Sequence, residues 1–327
     1  LSPCIDIIDE IVLVKEKNKM KKLNKMTMFA GLLFSAATLF TSCKKDEPVT
    51  PTVKNIAETV ASDPNFSLLN QAVTKAGLAS ALSTGSLTVF APDNTAFAAA
   101  GISSATINSL TATQVADLLK YHVVGAKVVS GSVPASDTVK SLLGTYIYAS
   151  KNANGVFVNG IKVKTADVQA SNGVIHVISS VLTPPTQTIA AIASAEPNLS
   201  LLLTAVSRAG LAGAVSAPGK YTVFAPTNAA FIAAGFPDAA SINAAPVSAV
   251  AAIVKAHIIP TNVFASDLIQ GQTAATLQSG VSLTIGTTPP SVKISSSTNP
   301  ASNIIAPAGV NITATNGVVH LIDRVLL

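Results

Sequence analysis

Four histidines, two asparagines beside a proline and one cysteine at the end of an apolar run are the residues of this 327-residue chain whose types and spacing could do chemistry. His122, His176, His257 and His320 could ligate a metal or act as bases. A metal site ordinarily needs three or four ligands with carboxylate or thiolate partners. Only Asp117 lies near His122 in sequence, and its aligned partner in the second half is Ala252. His176 and His320 stand inside apolar alternation, where an imidazole bonded to backbone is the usual arrangement, so both are read as structural motif residues. Asn94 and Asn228 follow the Pro of a repeated box, where a side-chain amide can bond nearby backbone and hold a turn. They too are read as structural, with ligand binding as the alternative. Asp93 before Asn94 becomes Thr227 in the second half, an exchange a helix cap tolerates and a catalytic carboxylate does not. The chain has no G-x-S-x-G, H-E-x-x-H, P-loop or dinucleotide fingerprint. The expectation is no catalytic residue, no metal, no cofactor and no enzyme.

The elements that hold these residues are written twice. TVFAPDNTAFAAAGI from Thr88 returns as TVFAPTNAAFIAAGF from Thr222. Ile56 to Leu82 aligns without a gap to Ile189 to Val215, His122 pairs with His257, and NGVIHVISSVL from Asn172 pairs with NGVVHLIDRVL from Asn316. The second copy is longer by roughly nine residues between its last two landmarks, a length assigned to TTPPSVKISSSTNP (Thr287 to Pro300), whose Pro and Ser clusters read as a surface loop. A period this long exceeds any solenoid repeat and fits two tandem globular domains, each able to bury a core of its own.

The amino terminus reads as an address. Lys21, Lys22 and Lys25 precede an apolar run from Met28 to Phe40, followed by Thr41-Ser42-Cys43, in the order of a secretory signal. The run is shorter than the ~20 apolar residues of a membrane span. Leu39-Phe40-Thr41-Ser42-Cys43 resembles a bacterial lipobox, in which the thiol is lipidated, although Phe40 departs from the usual small or aliphatic residue. A cleaved signal with an incidental cysteine is the alternative. Lys44-Lys45-Asp46-Glu47 follows at once, resembling a sorting signal to the outer face of the outer membrane. Leu1 to Lys19, with its scattered acids, is read as lying upstream of a start at Met20. Six of the 21 Lys and Arg and four of the 16 Asp and Glu precede Cys43, so the excess positive charge owes much to this leader. Nucleic acid is therefore not an expected partner. Cys4 precedes the cleavage point, which leaves no disulfide framework.

Within each copy, Asp63-Pro64 starts a helix with Phe66, Leu69, Val73 and Ala76 on one face, and Gly77 closes it. Glu196-Pro197 to Gly210 repeats that design. Leu87 to Phe90 reads as a buried strand, Asp93 as the cap of a short helix, and Thr111 with Gln114 as a capping box ahead of a second amphipathic helix. Asn159-Gly160 between Val156-Phe157-Val158 and Ile161-Lys162-Val163 is a hairpin signal. Helices come first and strands mostly later, which argues for an α+β domain. The boundaries read as 1–42 for extension and signal, 43–53 for a charged tether, 54–183 for the first domain, 184–187 for a linker hinged at Thr183-Pro184-Pro185-Thr186, and 188–327 for the second domain.

The TVFAP-N-AF boxes at Thr88 and Thr222, the Tyr121-His122 pair, which is Ala256-His257 in the second copy, and the NGV-H boxes at Asn172 and Asn316 resemble in their order those of fasciclin-like domains across nearly all of Ile56 to Leu327. The resemblance implies a twisted β-sandwich or wedge flanked by several short helices, and a role in extracellular adhesion rather than catalysis. It implies as partners extracellular matrix, cell-wall or surface protein, or polysaccharide, with membrane contact by the lipid anchor only. It also makes Tyr121 and His122, with His257 at the aligned position, the candidate interaction residues. The expected location is the cell envelope, lipid-anchored through Cys43 to the outer membrane and surface-exposed. A sugar- or lipid-binding module of the envelope is the second reading, and a hydrolase the third.

Overall fold

The computed structural model describes residues 53–287, 290–295, 297, 299–306 and 309–327. The expected signal, Cys43 and the expected tether up to residue 52 lie outside the described residues.

In the first repeat, α1 (Ile56–Ser62) begins at Asn55, whose side chain accepts from the Glu58 N–H while the Glu58 carboxylate accepts from the Asn55 N–H. Asp63 caps a single 3-10 turn that feeds α2 (Ser67–Ala76), and Gly77 ends α2 in the left-handed conformation that glycine adopts without steric cost. Strand β1 (Leu87–Pro92) is buried along its whole length. It leads into α3 (Asn94–Ala99), α4 (Ser104–Ser109) and α5 (Ala112–Tyr121), the last opened by the Thr111/Gln114 capping box. After the short β2 (Val123–Val124) the chain turns to strands: β3 (Ser136–Lys140), β4 (Tyr146–Asn152), β5 (Gly155–Val158), β6 (Ile161–Ala170) and β7 (Gly173–Ile178). They form one sheet in the order β2-β1-β7-β6-β5-β4-β3, with β1 and β7 parallel at its heart and every other pair antiparallel.

The hairpin from β5 to β6 turns on Asn159 (φ 48°) and Gly160 (φ 75°), the positive angles a two-residue turn requires. Two register irregularities in β6, the second lying between Thr165 and Val168 and containing Asp167 at φ 60°, bend this strand so that its two ends serve different packing layers. One layer packs α1, α2 and α5 against Val89 and Ile175. The other gathers Phe90, Tyr121, Ile147 and Val158 beneath the outer hairpins.

The second repeat follows the same path: α6 (Ile189–Ala195), α7 (Ser200–Arg208), α8 (Ala212–Ser216), β8 (Tyr221–Pro226), α9 (Asn228–Ala233), α10 (Ala239–Ala244), α11 (Val247–Ala256) and β9 (Ile258–Ile259). Its strands divide into two sheets. β14 (Ile312–Ala314), β15 (Gly317–Ile322), β8 and β9 form one, again with a parallel central pair. β10 (Thr273–Ala275), β11 (Ser282–Thr287), β12 (Pro290–Ile294) and β13 (Ser302–Asn303) form the other. Among the described residues the bridge Ile304 to Ile322 joins them, with backbone bonds from the Ile305 N–H to the Leu321 carbonyl and from the Asp323 N–H to the Asn303 carbonyl. The surface loop expected at Thr287 to Pro300 is corrected here. Its first half is β12, paired antiparallel with β11, because Val292 alternates with Ser291 and Lys293 and is fully buried under Leu283 and Ile285. Each repeat is thus a twisted β-wedge with several short helices, an α+β fold present in tandem.

Candidate functional site

The four histidines occupy two kinds of place, each used once per repeat. His122, at the C-terminal end of α5, bonds the Leu118 carbonyl through Nδ1 at 2.8 Å and accepts the Leu182 N–H at Nε2 at 2.9 Å. His257 repeats this with the Ile253 carbonyl and the Leu326 N–H at the same distances. Because Nε2 must accept, Nδ1 carries the proton and the ring is neutral. Burial pushes both imidazoles down to about 4. The expectation that His122, His257 and Tyr121 are contact residues is corrected by their position: each is at most 2 % exposed, so none offers a face to a partner. The rings instead fasten the last residues of each repeat to its helical layer. Asp117, the only acid near His122 in sequence, faces solvent and pairs with Lys120 at 4.0 Å.

His176 and His320 use the other tautomer. Nδ1 accepts the backbone N–H of Asp167 at 3.2 Å in one copy and of Asn311 at 3.3 Å in the other, while Nε2 donates to the Val128 and Val263 carbonyls. The rings stack on Phe90 and Phe224 at 5.6 and 5.5 Å. Asp167 and Asn311 both have positive φ, and their side chains accept the Ser130 and Ala265 N–H groups. Among the described residues no group of three or more His, Cys, Asp or Glu is arranged to hold a metal.

Asn94 ties the box to α2: Oδ1 accepts the Leu68 N–H at 3.1 Å and Nδ2 donates to the Pro64 carbonyl at 2.9 Å. Asn228 does the same with Leu201 and Pro197 at 3.0 Å each. Asn94→Ala is expected to lower stability by about 1–3 kcal/mol, read as a drop in the urea midpoint at unchanged slope. Asp93 caps α3 through the Ala96 N–H at 2.8 Å, and Thr227 caps α9 through Ala230 at 3.4 Å. Burial pushes the Asp93 carboxyl up, but hydrogen bonds from Lys164, Thr95 and the Ala96 N–H outweigh it and hold the group below its ordinary value.

Sequence reasoning did not single out Asn172 and Asn316. Asn172 accepts the Ile56 N–H and donates to the Leu82 carbonyl, both at 2.9 Å. Asn316 accepts from Ile189 and donates to Val215 and Ala217. The signal was present in the repeated Asn-Gly-Val box, read only for its apolar alternation. Thr88 and Thr222 were also missed. Each is fully buried on the central strand and uses its hydroxyl both to donate to a carbonyl and to accept an N–H from the following loop.

Tyr121 is where the first repeat departs from the second, which has Ala256. Its hydroxyl donates to the Tyr146 carbonyl at 3.2 Å and accepts from Asn159 Nδ2 at 2.8 Å. Asn159 Oδ1 in turn accepts the Tyr148 N–H at 2.8 Å. This network stiffens the end of β4 that meets the second repeat. There the Tyr148 ring lies 5.0 Å from Phe264, and both pack on the buried Val318. Ser150 bonds Asp267 at 2.5 Å, Asn152 donates to the Ser266 carbonyl at 2.7 Å, and Lys220 reaches Thr138 at 3.1 Å. A Cβ at Gly160 would stand 2.6 Å from Asn311 Nδ2 and 3.1 Å from the Phe264 ring, so the tight turn is also a place of close approach between repeats. Burial, and next the Asp267 charge, push the Tyr148 phenol up to about 12. The repeats are therefore joined by side-chain contacts as well as by the Pro-rich linker Thr183–Thr186.

Comparison with known proteins places this architecture. The fasciclin domain family model matches residues 64–184 and again 197–327. Transforming growth factor-beta-induced protein ig-h3 of Sus scrofa is 39 % identical over 149 residues, which are 45 % of this chain and 21 % of that protein. The chain thus spans about a fifth of the length of that relative. Protein sll1483 of Synechocystis is 41 % identical over 144 residues, covering 42 % of this chain and 78 % of its own length. A solved FAS1 domain pair from the insect cell adhesion molecule Fasciclin I aligns over 83 % of this chain and 95 % of that one, with a TM-score of 0.40 and 17 % identity. With both repeats matched over most of their length, the chain belongs to the fasciclin domain family.

Proposed function

We propose that this chain is a lipid-anchored protein of the cell envelope, fixed to the outer membrane through Cys43 and displayed at the surface, where its two fasciclin domains bind extracellular protein or polysaccharide. The observation that carries the reading is the paired fasciclin match beneath a basic, apolar and Ser-Cys leader. The division into a tether at 43–53, domains at 54–183 and 188–327 and a linker at 184–187 belongs to the same proposal, as does the absence of catalysis. The inward-facing histidines support it, since their ring nitrogens are spent on backbone and none is free to act as a base. Lipid chains bury about 0.8 kcal/mol per methylene, so several acyl chains on one cysteine hold firmly. Tandem display raises avidity where both domains engage.

Two measurements test this. Cells producing the full chain are labelled with a membrane-impermeant reagent, and the Cys43→Ser variant is expected to leave the membrane fraction. The full chain is also presented to protein, wall-polymer and glycan arrays. An unlabelled chain on intact cells removes surface display, and silence on every array removes adhesion.

A further inference from the structure

Between the two repeats, beside the Tyr148–Phe264 contact, runs a half-open groove of about 680 Å³. Tyr146 and Tyr148 line it, with the buried Tyr121 behind them, in a protein with no tryptophan. Tyr146 and Tyr148 stand two apart on β4, so the strand's period turns both to the groove while Ile147 goes to the core. Tyr146 is 62 % exposed, a ring left in water by a chain that buries most of its other aromatics. Behind it, the Tyr121–Asn159–Tyr148 hydrogen bonds fix the wall in advance of any ligand.

The second repeat supplies polar groups across the gap. Asn262 lines the groove from that side, with its Oδ1 buried beneath the surface and unpartnered among the described residues. Thr313 and Thr315 of the second repeat, facing Thr138 and Thr145 of the first, add hydroxyls. Lys220 is the only charged residue lining the groove among the described residues, and it forms no ion pair among them. Asp137 and Asp267 line the adjoining cavity of about 470 Å³, which shares Thr138, Tyr148, Lys220 and Asn262 with the groove.

We infer that this groove is a saccharide-binding site with a preference for uronate-bearing chains. A pyranose presents an apolar C–H face and a rim of hydroxyls. The face stacks on the Tyr146 ring, and the rim meets Asn262 and the threonines. A sugar carboxylate reaches Lys220 and meets no opposing acid in the groove. The inference rests on the adhesion reading and deepens it, assigning the bound polymer and the place where it binds. A protein partner is the competing occupant.

The test is titration of the full chain with oligogalacturonate and, in parallel, with neutral cello-oligosaccharides, alongside the protein and glycan arrays. Tyr146→Ala removes an exposed ring and should leave the thermal midpoint unchanged while weakening oligogalacturonate binding by about tenfold or more. Lys220→Gln should lose the preference for the uronate over the neutral chain while neutral binding persists. If the parent binds oligogalacturonate and both variants bind it equally well, the groove is overturned and adhesion stands. If the parent binds a protein but no saccharide, the saccharide site is overturned and adhesion again stands. If nothing binds on any array, both fall.

Discussion

Gly173→Ala is expected to lower the stability of the first repeat by at least about 3 kcal/mol, a large share of the ~5–15 kcal/mol that keeps a domain folded. The reason is a backbone clash. A Cβ at Gly173 would sit 2.0 Å from the Leu87 carbonyl oxygen and 2.9 Å from the Leu87 nitrogen, both fixed by the parallel register of β1 and β7. No flexible side chain is present to give way, so the central pair must separate. That separation also breaks the bond from the Leu87 N–H to the Asn172 carbonyl and shifts the Asn172 side chain that fastens α1. Gly317→Ala meets the Tyr221 carbonyl at the same 2.0 Å and should damage the second repeat equally. Urea denaturation of each variant measures the loss, and a midpoint within error of the parent would show that the strands are not held as closely as described.

Acid should produce the second large loss. His122, His257 and His320 are buried and neutral, with burial pushing each down to about 4 from an ordinary 6.5. In the unfolded chain each takes up a proton near pH 6.5, whereas the folded chain refuses it until about pH 4. Between those values the unfolded state binds more protons, so stability falls as pH falls across this window and is flat above it. Each ring accounts for on the order of 3 kcal/mol when the window is fully crossed. Protonation of His122 or His257 would also set an N–H against the Leu182 or Leu326 N–H that the ring now accepts. Urea midpoints measured at pH 7.5, 6 and 5 should decline in that order. An unchanged midpoint down to pH 5 would show that the rings are already charged or are free to leave their places.

Much of the framework was legible in the residues because local chemistry and tertiary need agree there. The Thr111/Gln114 capping box, the Gly77 helix end and the Asn159-Gly160 turn are each decided by a few neighbouring atoms, and the structure shows all three. The repeat itself was legible because two copies of one fold impose the same demands at aligned places: His122 and His257 make matching bonds, and so do Asn94 and Asn228. Aligned histidines did not disclose their burial, however, since exposure depends on layers contributed by distant segments. The strand inside the Pro- and Ser-rich stretch was hidden because β12 is short and its apolar alternation is two residues long, Val292 and Ile294, between Pro and Ser clusters. The Tyr146–Tyr148 wall was hidden for a different reason. Its meaning depends on the second repeat docking against β4, and Pro184-Pro185 in the connection suggested separation instead of contact.

The parallel central pair carries one more implication. In each repeat the strand beside β1 or β8 is the last one made, so the middle of the sheet stays vacant until the closing segment arrives. Long-range pairing of this kind delays completion of a domain until almost all of it is available. A polypeptide threaded through an export channel would on this arrangement remain an open thread for most of its passage, and each half would lock only when its final dozen residues came through.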